Sequence, residues 1–449
     1  MRTQPPSFRS GHTLLMLAAI IAIVLSVMFA SAQEVADTIR VNTRVVFMDA
    51  LVKDKRTGVP ISDLMPQNFE VFDDGNSRPI SYFTREGQAR KPLALVLILD
   101  LRDDGAGRFL KRPEILKAMA DELAKLSPQD EVAIMAMDIG EDEKRAWLTG
   151  FTRDHAQLVA ALARTPQFVT SDQPPPDAMG AKEDQKGDGD RGSSLTLGSD
   201  SSQKEAQNQS AGPGPATPKS EDIVEVEVTK GKNGSVVTRT TRKDGSVDVK
   251  RVNKKGDVTM ELGDIYDMAA AVKDTIRKTT QERPNSQLAI VWVSDGITPM
   301  FFEDRDATEQ LVLRSNVIFN SLTTELRTLF KFLLPIGKPI AGMLGVSVYG
   351  SAKRLAQQSG GEAVKVKRVK DYGAGLSKII GNLTARYSLG FALAEDEKDD
   401  GRLHNLEVRV KAQDTKGKTR KLEVSARKGY YMSETRAQER KESTASREW

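Results

Sequence analysis

Leu93-Ala94-Leu95-Val96-Leu97-Ile98-Leu99-Asp100 decides the fold. An unbroken apolar run with no polar alternate describes a strand covered on both faces, as in the middle of a parallel sheet. Outward from it the text alternates. Residues 113–126 carry Ile115, Leu116, Met119, Leu123 and Leu126 along one helical stripe. Residues 131–137 and 144–151 read as strands, and Asp154 caps a helix running to about residue 164. The same text resumes with a helix at 266–278, an apolar strand at 287–293, a helix at 308–313 and a strand at 317–322. A helix through Leu355, an edge strand at 362–367 and a helix at 372–383 close it. Strand and helix in turn predict the α/β class, a doubly wound, mostly parallel, Rossmann-type sheet. That domain is split into residues 89–167 and 263–385.

Two different texts separate the halves. Residues 168–221 are rich in Pro, Gly and Ser and nearly free of apolar side chains, so they are expected to be disordered. Residues 222–262 hold a repeat in which Gly234, Gly245 and Gly256 fall 11 residues apart with valines alternating between them, which predicts a four-strand β-meander. Val224, Val226 and Val228 are expected on one apolar face, as are Val247 and Val249.

Outside the split domain the chain alternates with period two. Residues 33–88 predict a small N-terminal β domain with Val41, Val45, Phe69, Val71, Ile80 and Phe83 inward and a turn at Asp73-Asp74-Gly75-Asn76. Residues 386–433 predict a C-terminal β extension with strands at 387–393, 405–411 and 421–427, followed by a flexible charged tail at 434–449. The apolar stretch 329–348 reads either as core or as an exposed contact surface.

Arg2 and Arg9, an apolar run over 14–29 and Ala30-Ser31-Ala32 have the order of a secretory signal peptide ending at residue 32. Export to the periplasm, cell surface or medium is expected, with membrane contact only through this segment if it is retained. The remainder holds 64 bases, the 66 of the whole chain less Arg2 and Arg9, against 62 acids, which gives no electrostatic case for nucleic acid. The chain has no cysteine, which excludes disulfides, thiolate metal sites and a cysteine nucleophile.

In a doubly wound sheet, ligands bind beyond the carboxyl ends of the strands where the strand order reverses, and Asp100 and Asp295 each terminate an apolar strand. Asp100 and the Ser294-Asp295-Gly296 turn are where the chain resembles von Willebrand factor A-type (VWA) domains. More narrowly it resembles the exported VWFA-related proteins of acidobacteria. That likeness lies in Val52-Lys53-Asp54, Gly58-Val59-Pro60, Asn68-Phe69-Glu70-Val71-Phe72-Asp73-Asp74-Gly75, Ile265-Tyr266-Asp267, Leu355-Ala356, Gly360-Gly361, Tyr387-Ser388-Leu389-Gly390-Phe391 and Ala426-Arg427-Lys428-Gly429-Tyr430-Tyr431. In order, these motifs span Thr38 to Tyr431 apart from the insertion.

The resemblance implies a metal-ion-dependent adhesion site with Asp-x-Ser-x-Ser after the first strand, a Thr from a second loop and the Asp of the Ser-Asp-Gly turn. Here Arg102 and Asp104 stand where serines are expected, and Gly263 stands at the Thr position beside Asp264. Asp100, Asp104, Asp264 and Asp295 would hold a Mg²⁺-type cation, or Arg102, with five donors and no acceptor, would neutralise the same carboxylates. With Arg102 these residues are the candidate partner-binding set. No cofactor other than that Mg²⁺ is expected. Of the histidines beyond the signal segment, His155 and His404 read as ordinary surface residues, and no catalytic or nucleotide-binding motif occurs. The expectation is an exported protein that binds a protein partner through a degenerate adhesion site and is not an enzyme. The alternative is a scaffold subunit with a vestigial crevice, and a hydrolase-like enzyme comes third.

Overall fold

The computed structural model describes residues 45–85, 90–102, 106–137, 145–167, 223–231, 233–243, 247–262, 268–324, 346–394, 397, 400–413 and 416–432. The signal segment, residues 168–221, the tail and most of 329–348 lie outside them. Along the chain come β1 (Val45–Asp54), β2 (Phe69–Asp73), β3 (Asn76–Arg78), β4 (Tyr82–Thr84) and β5 (Leu93–Asp100). Next are α1 (Gly107–Leu110), α2 (Pro113–Leu123), β6 (Glu131–Met137), β7 (Arg145–Thr152) and α3 (His155–Ala163). The insertion supplies β8 (Ile223–Lys230), β9 (Val236–Arg242), β10 (Val247–Val252) and β11 (Val258–Leu262). Then follow α4 (Met268–Glu282), β12 (Gln287–Ser294), β13 (Ile297–Phe301), α5 (Phe302–Arg314), β14 (Ile318–Thr324) and β15 (Val346–Tyr349). The chain ends with α6 (Ser351–Ser359), β16 (Ala363–Val366), α7 (Tyr372–Thr384), β17 (Tyr387–Ala392), β18 (His404–Val410), β19 (Leu422–Ser425) and β20 (Gly429–Tyr430).

The central sheet has the order β16-β14-β12-β5-β6-β7, parallel except for the antiparallel edge strand β7. This is the doubly wound α/β class that the alternation predicts. Every residue of β5 is buried. Leu93, Leu95, Leu97 and Leu99 pack with α2, α3 and α7 in one core, while α4, α5 and α6 lie against one another as a second layer. In sequence β5 comes first and the sheet grows outward both ways from it, so the order reverses between β5 and β12. A crevice forms there because the connections from the two strands leave in opposite directions.

The two ends of the chain form one β unit and not a separate domain plus an extension. β1 pairs with β17 and β19, and β2 pairs with β18, giving sheets β19-β1-β17-β4 and β20-β18-β2-β3 over a shared core of Met48, Phe69, Val71, Leu389, Phe391 and Leu406. Phe69 and Val71 are inward as expected. Val45 is not: Val46, Met48 and Ala50 are buried in β1, a one-residue shift that turns the strand over. Gly360 and Gly361 fasten this unit to the central sheet. A Cβ on Gly361 would stand 2.0 Å from the Phe319 carbonyl, and one on Gly360 2.5 Å from Arg427 N.

The insertion folds as the expected meander, in the order β11-β10-β9-β8. Its inner face differs from the expectation. Val237, Val247 and Val249 pack on Ala270 of α4 and on Phe301, but Val224, Val226 and Val228 face outward at 62%, 55% and 50% exposure. The inward side of β8 carries Glu225 and Glu227 because α4 offers Lys273, 2.7 Å from Glu225. Arg239 and Arg251 likewise pair with Asp304 (2.9 Å) and Glu303 (3.0 Å) of α5. Alternation tells which residues share a face; the charged partners on the helices decide which face turns in.

Candidate functional site at the sheet switch point

β5 and β12 run side by side in register, with Leu99 beside Val293, so Asp100 and the Ser294-Asp295 turn emerge together at the carboxyl edge. Asp100 has no exposed surface, and Asp295 has 6%. Gly296 closes the turn at φ 89°, in the left-handed region that glycine enters without strain, and its N–H donates to Ser294 Oγ at 3.0 Å. From beneath, the buried Tyr372 at the start of α7 donates its hydroxyl to the Ser294 carbonyl at 3.4 Å.

Arg102 lies between the two acids. Its Nε donates to Asp100 Oδ1 at 3.0 Å and its Nη2 to Asp100 Oδ2 at 2.9 Å, a two-point grip. Nη2 also reaches Asp295 Oδ1 at 3.0 Å, and the Arg102 N–H donates to Asp100 Oδ1 at 3.2 Å. Burial pushes the Asp100 carboxyl up to about 6, against the downward pull of the Arg102 hydrogen bonds and charge, and Asp295 adds to the upward push.

A Mg²⁺ ion does not fit these described residues. The family site needs neutral hydroxyl oxygens beside its aspartates, whereas here both carboxylates already accept from a guanidinium that has no lone pair to give a cation. Of the sequence candidates, the structure brings together Asp100, Arg102 and Asp295; Asp104 and Asp264 lie outside the described residues.

Gly107 was not singled out from the sequence, yet the loop depends on it. Its N–H donates to the Arg102 carbonyl at 2.9 Å, and a Cβ there would stand 2.1 Å from the Leu101 carbonyl oxygen. Its only sequence signal is a glycine following the acidic loop. His404 was misread as a surface residue: it is 2% exposed, while His155 is exposed as expected.

No family model and no curated relative matches the chain. Solved structures do. A VWA domain titled SpRpn10 superposes at a TM-score of 0.29 with 9% identity, over 63% of this chain and 94% of that one. A von Willebrand factor type A protein from Catenulispora acidiphila gives 0.34 with 6% identity, over 90% and 76%. The pilus adhesin SpaC from Lactobacillus rhamnosus GG gives 0.32 with 9% identity, over 84% and 49%. Superpositions this loose carry over no ligand or partner.

Proposed function

Since its split central domain has the von Willebrand factor A-type fold, we propose that this chain is an exported partner-binding protein whose contact edge works without a divalent cation. The observation that carries this is Arg102 fixed between Asp100 and Asp295. In the adhesion-site chemistry that the fold resembles, a cation bridges domain carboxylates to an acidic group of the partner, because acids brought together otherwise repel. A guanidinium held in the same place supplies that positive centre permanently. Charge-assisted hydrogen bonds of this kind are worth about 1.5–3 kcal/mol. The partner is accordingly a protein presenting an Asp or Glu to the carboxyl edge of β5 and β12. Export rests on Arg2, Arg9, the apolar run and Ala30-Ser31-Ala32. The crevice performs no catalysis, since its groups are an acid pair clamped by an arginine, with no nucleophile beside them.

A second reading has its own support. Arg102 keeps only 12% of its side chain open, so a scaffold subunit using the outward valines of β8 is the competitor.

Calorimetry with Mg²⁺ on the native chain and on Arg102→Ser tests the first reading. The native chain is expected not to bind, and the variant to gain binding as the loop approaches the family motif. Tight binding by the native chain with no gain in the variant would overturn the role given to Arg102. Proximity labelling in the native envelope supplies partners, and loss of their capture in Arg102→Ala, but not in Val226→Lys, separates the crevice from the meander.

A further inference from the structure

The β unit contains a second polar cluster, far from the switch point in sequence and unrelated to it in chemistry. Asp73 ends β2, Asp74 follows in the turn at φ 48°, and His404 opens β18, more than 300 residues later. Each offers one ligand atom, and these atoms lie within 4.8 Å of one another.

We propose that Asp73, Asp74 and His404 hold a divalent transition-metal ion, with zinc the best match to one imidazole and two carboxylates. The spacing suits it. His404 Nδ1 stands 3.0 Å from Asp74 Oδ2 and 3.8 Å from Asp73 Oδ1. Donors about 2.0–2.2 Å from a tetrahedral zinc stand roughly 3.3–3.6 Å apart, so closure needs shifts of only a few tenths of an ångström. The histidine is also set as a ligand. Its Nε2 lies 3.2 Å from Asp400 Oδ1, and its ring stacks on Tyr430 at 5.0 Å between centroids. An Nε2–H given to a carboxylate fixes the tautomer that leaves the Nδ1 lone pair facing the two aspartates, the usual support of a metal-bound imidazole.

Three acceptors then converge, and something positive has to sit among them. A proton on Nδ1 would satisfy Asp74, but it would leave Asp73 Oδ1 at 3.8 Å with nothing. That oxygen is buried and has no hydrogen-bond partner among the described residues, although Oδ2 of the same carboxylate accepts from Arg78 (3.0 and 2.8 Å) and from the Tyr430 hydroxyl (3.1 Å). Orphaned buried carboxylate oxygens are costly, and a metal ion is the one occupant that reaches all three donors. Charge agrees. Asp73, Asp74, Glu397 and Asp400 face Arg78 and Arg402 in this cluster, an excess of two negative charges that a divalent cation cancels. Asp74 Oδ2 also accepts from Arg402 at 2.8 Å, which uses one of its two lone pairs and leaves the other for the metal. The ion would pin the β2–β3 turn to β18, fastening the first part of the described chain to the last.

The test uses the full chain, stripped with chelator and titrated with Zn²⁺ by calorimetry and metal analysis. One equivalent is expected, with a rise in melting temperature. Asp73→Asn and His404→Gln are expected to abolish binding, His155→Gln to leave it unchanged, and Asp400→Ala, which keeps all three ligands, to weaken it about 10–100-fold. Absence of stoichiometric binding by the native chain, or unchanged binding in folded His404→Gln, overturns the proposal and leaves a protonated His404 clamped between Asp74 and Asp400.

Discussion

The hydroxyl of Tyr387 accepts from the Leu64 N–H at 3.0 Å and donates to the Ile61 carbonyl at 2.8 Å, tying the long β1–β2 connection to the first residue of β17. The ring itself is buried against Phe69 and Phe83. Tyr387→Phe keeps the packing and orphans both backbone groups. The expected loss is about 1–3 kcal/mol, read by urea unfolding; a loss under about 0.5 kcal/mol would show that water replaces the hydroxyl.

Asp100 gives the protein a signed pH dependence. Its carboxyl is raised to about 6 in the fold against an ordinary 3.8, so the folded state binds the proton more tightly than the unfolded state. The stability this contributes is complete below about pH 4 and is lost as pH rises towards 6. Asp100→Asn cannot titrate, so the advantage of the native chain over the variant is expected to shrink between pH 4 and pH 6.5 in paired denaturation curves. An advantage that grows over that interval would mean that Arg102 outweighs burial.

The two valine rows of the meander are predicted to respond in opposite ways. Val226 is half exposed, so Val226→Lys should change stability by no more than about 0.5 kcal/mol. Val249 is fully buried against α4, so Val249→Lys should cost several kcal/mol or unfold the meander. Limited proteolysis at the turns of the meander distinguishes the two, and equal cleavage would refute the assignment of faces.

Much of the architecture is legible in the sequence where a signal is local. The unbroken run of β5 implies burial on both faces, and an 11-residue turn period implies a meander, because each rests on neighbouring residues alone. What a single segment cannot reveal is its partner. Val224, Val226 and Val228 look like an inward face until Lys273 draws Glu225 down instead. His404 looks solvated until Asp73, Asp74 and Asp400 surround it. At the switch point, Asp100, Arg102 and Asp295 were readable because strand ends in this topology converge by rule; Gly107 was not, since its necessity comes from the approach of the Leu101 carbonyl.

Because β1 lies antiparallel to β17, with Asp49 opposite Ser388, the first strand off the ribosome must wait for one of the last. At roughly 5–20 residues per second that delay is on the order of tens of seconds. Throughout it, Val46, Met48 and Val52 have no sheet to enter, and the nascent chain shows an unpaired apolar edge. A translation product cut short before Tyr387 would keep that edge permanently, so premature termination should yield aggregates, not a smaller soluble domain.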